Sequence, residues 1–443
     1  MPVEWIFKAA LAAVDPCHAV SQALRVEHGV LQADGVVYDL AAFDRILVVG
    51  AGKAGAGMAQ GVESLLAGKM MEGLIIVKQG CSVPLSFIEQ VEAAHPVPDA
   101  AGVAGTRRIL QMLQTADART LVICLLSGGA SALLVAPVSG ITLQDKQQVT
   151  RLLLESGAGI CELNAVRKHL SGVKGGRLAE AAYPAPLLAL IISDVIGDAL
   201  DVIASGPAAA DNSSFVDAWA VIVKYGLRDK LPRRVVDYLQ QGLAGRAPET
   251  VKNGDTSLSR TRNVIVASNR QALAAAKAGA EQLGFSAAII TDALQGEARA
   301  AARWLADRVR AELADMQPGD QRCLISGGET TVWVRGKGKG GRNQELALAF
   351  ALAIEGCQGV RLLSAGTDGG DGQTDAAGAK VNGETVARAR GVGMESRCYL
   401  DENDSYTFFR QFDAALGAHS HFKTGPTGTN VMDIQIVLLH KPA

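Results

Sequence analysis

Short β-branched and leucine-rich runs alternate with alanine-rich stretches of helical spacing, and this alternation limits the fold more than any other feature of the chain. Residues 45–50, 73–78, 121–126 and 187–195 read as buried strands with helices between them, which calls for a parallel sheet covered by helices on both faces. The rhythm restarts at 263–268, continues through 286–292, 323–326 and 359–365, and ends in the alternating run 431–439. A second α/β unit is the simplest account. The 443 residues suit two or three domains, each large enough to bury its own core. Between the two blocks, 230–257 is polar and punctuated by Gly and Pro, the composition of a segment that few contacts cross. The boundary is therefore expected near residue 250, giving domains 1–250 and 251–443. The first residues, MPVEWIFKAALAAVDP, read as a short amphipathic helix rather than a secretion signal.

Charge and cysteine content narrow the partners. With 43 Lys+Arg against 45 Asp+Glu, the net charge of -2 removes the long-range electrostatic case for a nucleic-acid binder or an anionic-membrane protein. Seven cysteines lie scattered without a CxxC pair, two of them (Cys124 and Cys323) inside apolar runs, as reduced core residues do. No run approaches the roughly 20 apolar residues that cross a bilayer. The expected setting is cytoplasmic.

Several segments carry candidate chemistry. In RILVVGAGKAGAGMA a strand runs into Gly50, Gly52 and Gly55 before a helix, which satisfies the spacing of a dinucleotide turn. The acidic residue that would hold a ribose about 20 positions on is missing, because the next strand ends at Lys78. What remains is a helix start with Lys53 in the turn, suited to a carboxylate or phosphate. The alternative is a glycine turn serving close packing alone. Twin turns, Ser127-Gly128-Gly129 and Ser326-Gly327-Gly328-Glu329, each follow a buried strand, where open α/β sheets bind ligands. Glycine pairs also arise simply where a turn needs positive φ.

The segment VRGKGKGGRNQELALAF places Arg335, Lys337, Lys339 and Arg342 on a glycine-rich loop leading into a helix. A loop of this kind is expected to close over a polyanion, with Arg342 and the backbone at Asn343 converging on one phosphate. A solvated hairpin accounts for the two lysines equally well. Opposite in charge, Asp368, Asp371 and Asp375 follow one strand and Asp194 and Asp198 another. Carboxylates at strand ends suit Mg²⁺, which keeps most of its waters, although turn chemistry alone also selects aspartate. Thr427 and Asn430, in TGPTGTNVMD, and the ENDSY segment at 402–406 read as polar loops at the mouth of a cleft. His95 and His169 have no metal-ligand spacing and read as structural.

Taken in order, GAGKAG, HPVPD, LSGGAS, NAVRKHLSGVKGGRLA, IASGP, SGGETTV, GGRNQELALA, AGTDGGDGQTDAAGA, NDSY and TGPTGTNVMD make the chain resemble the class II glycerate kinases, the MOFRL-containing family whose bacterial members were often labelled hydroxypyruvate reductases. The likeness runs over nearly the whole chain and is loosest at 210–320. Ala130, Ile196 and Ala199-Leu200 depart from the family pattern and bear on the geometry of the Asp194 loop. The resemblance implies a Rossmann-like N-terminal domain, a smaller C-terminal α/β MOFRL domain and an active site in the cleft between them. It implies phosphorylation of D-glycerate by ATP with Mg²⁺, giving 2-phosphoglycerate; a homodimer is the candidate assembly, which residue types do not decide.

On that reading Lys53 and Arg342 face one another across the cleft and Asp194 stands near the acceptor hydroxyl. Asp194, Asp368 and Asp371 are the metal candidates. Gly50, Gly52, Ser127, Gly128, Gly129, Ser326, Gly327, Gly328, Glu329, Asn343, Thr427 and Asn430 are the expected binding positions. A nicotinamide-dependent hydroxypyruvate reductase is the main rival, and a non-catalytic metabolite sensor the third reading.

Overall fold

The structure is a computed structural model and describes residues 1–442. Its elements divide between two compact units, one of residues 16–266 and one that joins 1–15 to the chain from 267 onward. In the first unit an antiparallel meander, β1 (Leu24–Glu27), β2 (Val30–Ala33) and β3 (Val36–Asp39), precedes a six-stranded sheet. That sheet comprises β4 (Arg45–Ala51), β5 (Met71–Lys78), β6 (Ile88–Ala93), β7 (Thr120–Leu126), β8 (Leu187–Ile192) and β9 (Thr261–Ala267), in the order β6-β5-β4-β7-β8-β9. The pairs from β6 to β8 are parallel. Every residue of β7 and β8 is buried, which is why their sequences are continuous apolar runs rather than alternating ones. The chain winds outward from β4 to β6, then returns to β7 and winds the other way. The reversal therefore lies between β4 and β7.

The second unit carries β10 (Ser286–Leu294), β11 (Gln321–Gly328), β12 (Val360–Gly366), β13 (Gly378–Asn382), β14 (His421–Phe422) and β15 (Asp433–His440), in the order β10-β11-β15-β12-β13-β14. Only β10 and β11 pair in parallel; the other pairs are antiparallel. The run at 431–439 forms a strand as expected, but one in the middle of the sheet, where even its polar Asp433 and Gln435 are buried. Its core gathers Phe350, Phe408, Phe409 and Phe412 against the helix Arg342–Ala353 and the strands.

Two features depart from the expected division. The units separate after Val266, not near residue 250, because the polar stretch is tied into the first unit. Val251 N–H donates to Gly175 O, Asp211 N–H donates to Val251 O, and Arg177 reaches Pro248 O. The amphipathic first helix, Pro2–Ala13, forms as expected but belongs to the C-terminal unit, burying Val3, Ile6, Phe7 and Ala10. Phe7 packs edge-on to Phe422, and Glu4 pairs with Lys380 at 2.6 Å. All seven cysteines are free, and no described helix is long and apolar enough to cross a membrane.

Candidate active site

At the reversal point β4 ends in the lysine-bearing turn. Gly50 and Gly52 have φ of +155° and +146°, and a Cβ on either would stand 2.0 Å from Leu125 O or Ser127 Oγ. The glycines therefore let the turn lie directly against the end of β7. Two hydrogen bonds lock the loops together: Lys53 N–H donates to Gly128 O at 2.8 Å and Ala54 N–H to Ser127 Oγ at 3.0 Å. Gly129, at φ +84°, lies between the Lys53 stem and the His95 ring; a Cβ there would be 3.3 Å from Lys53 Cγ and 3.0 Å from His95 Cδ2. His95, which sequence reasoning left as structural, thus belongs to this corner. Its loop is closed by Asp99, which accepts from Ala94 and Gly102 N–H. His169 is structural as expected, held by Ala165 O and Glu249.

Asp194 follows β8, the neighbour of β7, and is half-buried. Three adjacent parallel strands thus end in Lys53, in Ser127–Gly129 and in Asp194. Lys78 ends β5 on the other side of β4, where a ribose-binding fold would carry a carboxylate.

A second polar cluster in this unit escaped the sequence reading. Ser131 Oγ meets Ser205 Oγ at 2.9 Å, Ser205 Oγ meets Asn164 Oδ1 at 3.2 Å, and Arg167 Nη2 donates to Ser131 O at 3.1 Å. Lys174 is fully buried, its ammonium 3.4 Å from Ala204 O. The signal was present in the cation-rich NAVRKHLSGVKGGRLA, but a helical charge run reads by default as a solvated face.

The second unit reuses the strand–Ser–Gly–Gly sequence differently. Ser326 points into the sheet, bonding Gln435 Oε1 at 3.0 Å, and a Cβ on Gly327 would lie 2.0 Å from Asn269 Oδ1. These two expected binding positions serve packing, because β15 and the helix Asn269–Gln282 press on them. Gly328, at φ +143°, lets the chain pass Leu294 O. Asp433 is registered opposite both Gly328 and Gly366, so it sits between the ends of β11 and β12.

Arg342 is engaged there on all three nitrogens. Nε and Nη2 grip Asp433 at 2.6 and 2.9 Å, and Nη1 meets Glu329 at 2.7 Å. Burial opposes its charge, but Asp433 and Glu329 more than offset that and hold it above its ordinary pKa. The expected convergence of helix donors on a phosphate takes another form. Asn343 and Gln344 N–H donate to Asp371, which caps the helix with its own carboxylate. Burial drives the Asp371 pKa up to about 6 against those hydrogen bonds, with Asp433 adding to the rise. Asn343 is itself buried and accepts from Ser364 Oγ.

The basic loop is pinned rather than loose. Asn403 Oδ1 accepts from Arg335 and Gly336 N–H, Asp404 from Lys339 N–H, and Glu402 O from Gly338 N–H. Its glycines allow this backbone contact: a Cβ on Gly336 would stand 2.2 Å from Glu402 O. Asn403 in turn donates to buried Glu345, which also binds Arg299 at 2.8 Å. Thr427 Oγ1 donates to Thr367 O and Asn430 Oδ1 accepts from Met432 N–H. Asp375 is held to Lys423 and Tyr406, which lower its pKa to about 2.

Among the described residues no three His, Cys, Asp or Glu side chains gather as a metal cage. Mg²⁺ needs only one or two carboxylates beside substrate phosphates. Asp194 and Asp368, half-buried at strand ends, have that donor chemistry. Asp371 does not fit, because both of its oxygens already accept from the helix start and Gln344.

Fold and turn together define a doubly wound α/β protein with a lysine-bearing glycine turn at its switch point and a lysine in place of the ribose carboxylate. The sequence matches a domain of unknown function (DUF4147) over residues 2–240 and the MOFRL family over 322–433. It is 42% identical to a D-glycerate 2-kinase of Thermotoga maritima over 89% of this chain and 91% of that one. A protein of Agrobacterium vitis bearing a hydroxypyruvate reductase name is also 42% identical, over 89% of this chain and 99% of its own. The crystal structure of a Thermotoga maritima glycerate kinase superposes with a TM-score of 0.83 at 40% identity, covering 99% of this chain and 98% of that one. The chain belongs to the MOFRL-containing glycerate kinase family.

Proposed function

We propose that the protein transfers the γ-phosphoryl group of ATP to the 2-hydroxyl of D-glycerate, giving 2-phosphoglycerate and ADP. The observation that carries this is the lysine turn at the switch point, hydrogen-bonded to the Gly128 carbonyl with no carboxylate at the end of β5. Phosphoryl transfer needs positioning and positive charge around the equatorial oxygens more than covalent chemistry. Lys53 supplies one charge. Arg342, oriented by buried Asp433, supplies the other, with Nη1 exchanging the half-exposed Glu329 for a phosphate oxygen. The two belong to different compact units, and the proposal assigns them to one reaction.

Asp194 accepts the proton of the C2 hydroxyl as its oxygen bonds to the γ-phosphorus. The bond from that phosphorus to the bridging oxygen breaks, and ADP leaves with the electron pair. Gly52 and Gly129 bring the two turns together beside the Lys53 stem, with Lys53 N–H on Gly128 O. Mg²⁺, held by Asp194 or Asp368 through its waters, would neutralise β- and γ-oxygens. Incubation with ATP, Mg²⁺ and D-glycerate, followed by ³¹P NMR of the product, tests the reading. Formation of 3-phosphoglycerate overturns the regiochemistry; NADH oxidation by hydroxypyruvate without ADP formation overturns the class.

A further inference from the structure

The helix Ile160–His169 and the loop after it carry cations of two kinds. Lys168 and His169 are compensated, the first by Asp211 at 3.1 Å and Asp201 at 3.6 Å, the second by Glu249 at 2.6 Å. Arg167, Lys174 and Arg177, joined by Lys146 from the preceding helix Leu143–Glu155, have no ion pair among the described residues and reach only main-chain carbonyls. Lys174 is the extreme case, 1% exposed with three N–H donors and one acceptor at 3.4 Å. Burial lowers the pKa of Lys146 and Lys174, and neighbouring positive charges, Arg167 among them, lower both further. Concentrating like charges away from water and without counter-ions costs stability, and a single weak carbonyl contact does not offset it. Such an arrangement is explained when an anion completes it.

The neighbouring backbone carries the same message. Ala204 and Ser205 hold left-handed φ of 54° and 63° although neither is glycine, a strain that persists only where the surrounding structure over-determines it and that clusters at ligand sites. It presents the Ala204 carbonyl to Lys174 and the Ser205 hydroxyl to Ser131 and Asn164. Ser131 lies two residues beyond Gly129, so this cluster continues the corner occupied by Lys53.

We propose that the half-buried Arg167 guanidinium and the Ser131 and Ser205 hydroxyls, backed by the buried Lys174 ammonium, form an oxyanion subsite for a substrate of the transfer reaction. The oxyanion is either the carboxylate of the small acid or a phosphate of the nucleotide. This deepens the kinase reading and rests on it for the identity of the ligand, but the binding of an oxyanion stands apart from that reading.

Inorganic phosphate is the probe for binding. It should raise the Tm of the parent protein, and the rise should disappear in Arg167→Met and shrink in Lys174→Met. Lys174→Met alone should leave Tm unchanged or higher, since it removes an uncompensated buried charge. In kinetic assays of Arg167→Met, an increase of about tenfold or more in KM for D-glycerate, with KM for ATP within about twofold, identifies the carboxylate; the reverse pattern identifies the nucleotide. Arg167→Lys should restore part of the affected KM, which a purely structural arginine would not do. A phosphate response retained in both Met variants overturns the subsite, as does an unchanged KM for both substrates. If the parent protein fails to phosphorylate glycerate, the kinase reading falls while the phosphate titration still decides the subsite.

Discussion

The two Ser-Gly-Gly turns read alike and are built to opposite electrostatic plans. Beyond Ser127-Gly128-Gly129, beside Ser131 and Ala204, the cations Arg167 and Lys174 contact main-chain oxygens and form no ion pair among the described residues. Beside Ser326-Gly327-Gly328 the cation Arg342 is held by two carboxylates, one of them fully buried. Arg167 and Lys174 therefore lack counter-ions, whereas Arg342 is already balanced. The same local motif thus adjoins uncompensated cations in one unit and a carboxylate-held guanidinium in the other, depending on what the tertiary fold brings to it.

The largest test of that contrast is Arg342→Ala. It leaves Asp433, 1% exposed, without its partner, so unfolding free energy should fall by about 3–5 kcal/mol in denaturant titrations. Lys174→Met should move stability the other way or not at all, and equal destabilisation by both variants would erase the distinction. Next comes Lys53→Ala, expected to raise the activation barrier by about 2–4 kcal/mol, seen as a loss in kcat/KM, with stability changed by less than about 1 kcal/mol. Turnover close to that of the parent would remove Lys53 from the reaction.

Gly52→Ala sharpens the comparison at the turn. With φ at +146° and the new Cβ on Ser127 Oγ, it should cost about 1–3 kcal/mol of stability. A separate effect is on pH dependence. Burial, aided by Arg167 and Arg177, lowers the Lys146 pKa to about 7, against roughly 10.4 in the unfolded chain. Between those values the unfolded chain binds more protons, so stability should increase as pH rises from about 7 toward about 10. Lys146→Met should flatten this slope, leaving the part due to Lys174, which is shifted in the same direction. Urea midpoints at both pH values for both proteins measure it.

Much of the fold was legible because strands, turns and helix starts depend on neighbours a few residues away. The buried runs became β4, β5, β7 and β8, and the glycine turn formed where a strand met a helix. The meander β1–β3, the strand β6 and the antiparallel insertion of β15 were not legible, since short or half-polar strands declare themselves only through their partners. Site residues divide the same way. Lys53 stands in its turn as read, whereas Ser326 proved to be packing and Asp371 a helix cap. Asn164, Arg167 and Lys174 went unnoticed because nothing in a charge run reveals which members are buried.

The sequence by itself determined where the backbone must turn, which runs must be buried and which residues carry charge at strand ends, because backbone sterics and apolar periodicity act over a few residues. Only the tertiary structure decided which charges are compensated. Asp433 reaches Arg342 across 91 residues of sequence, and Glu4 reaches Lys380 across 376. Compensation depends on distance and burial in space, and neither is written in the local order of residue types.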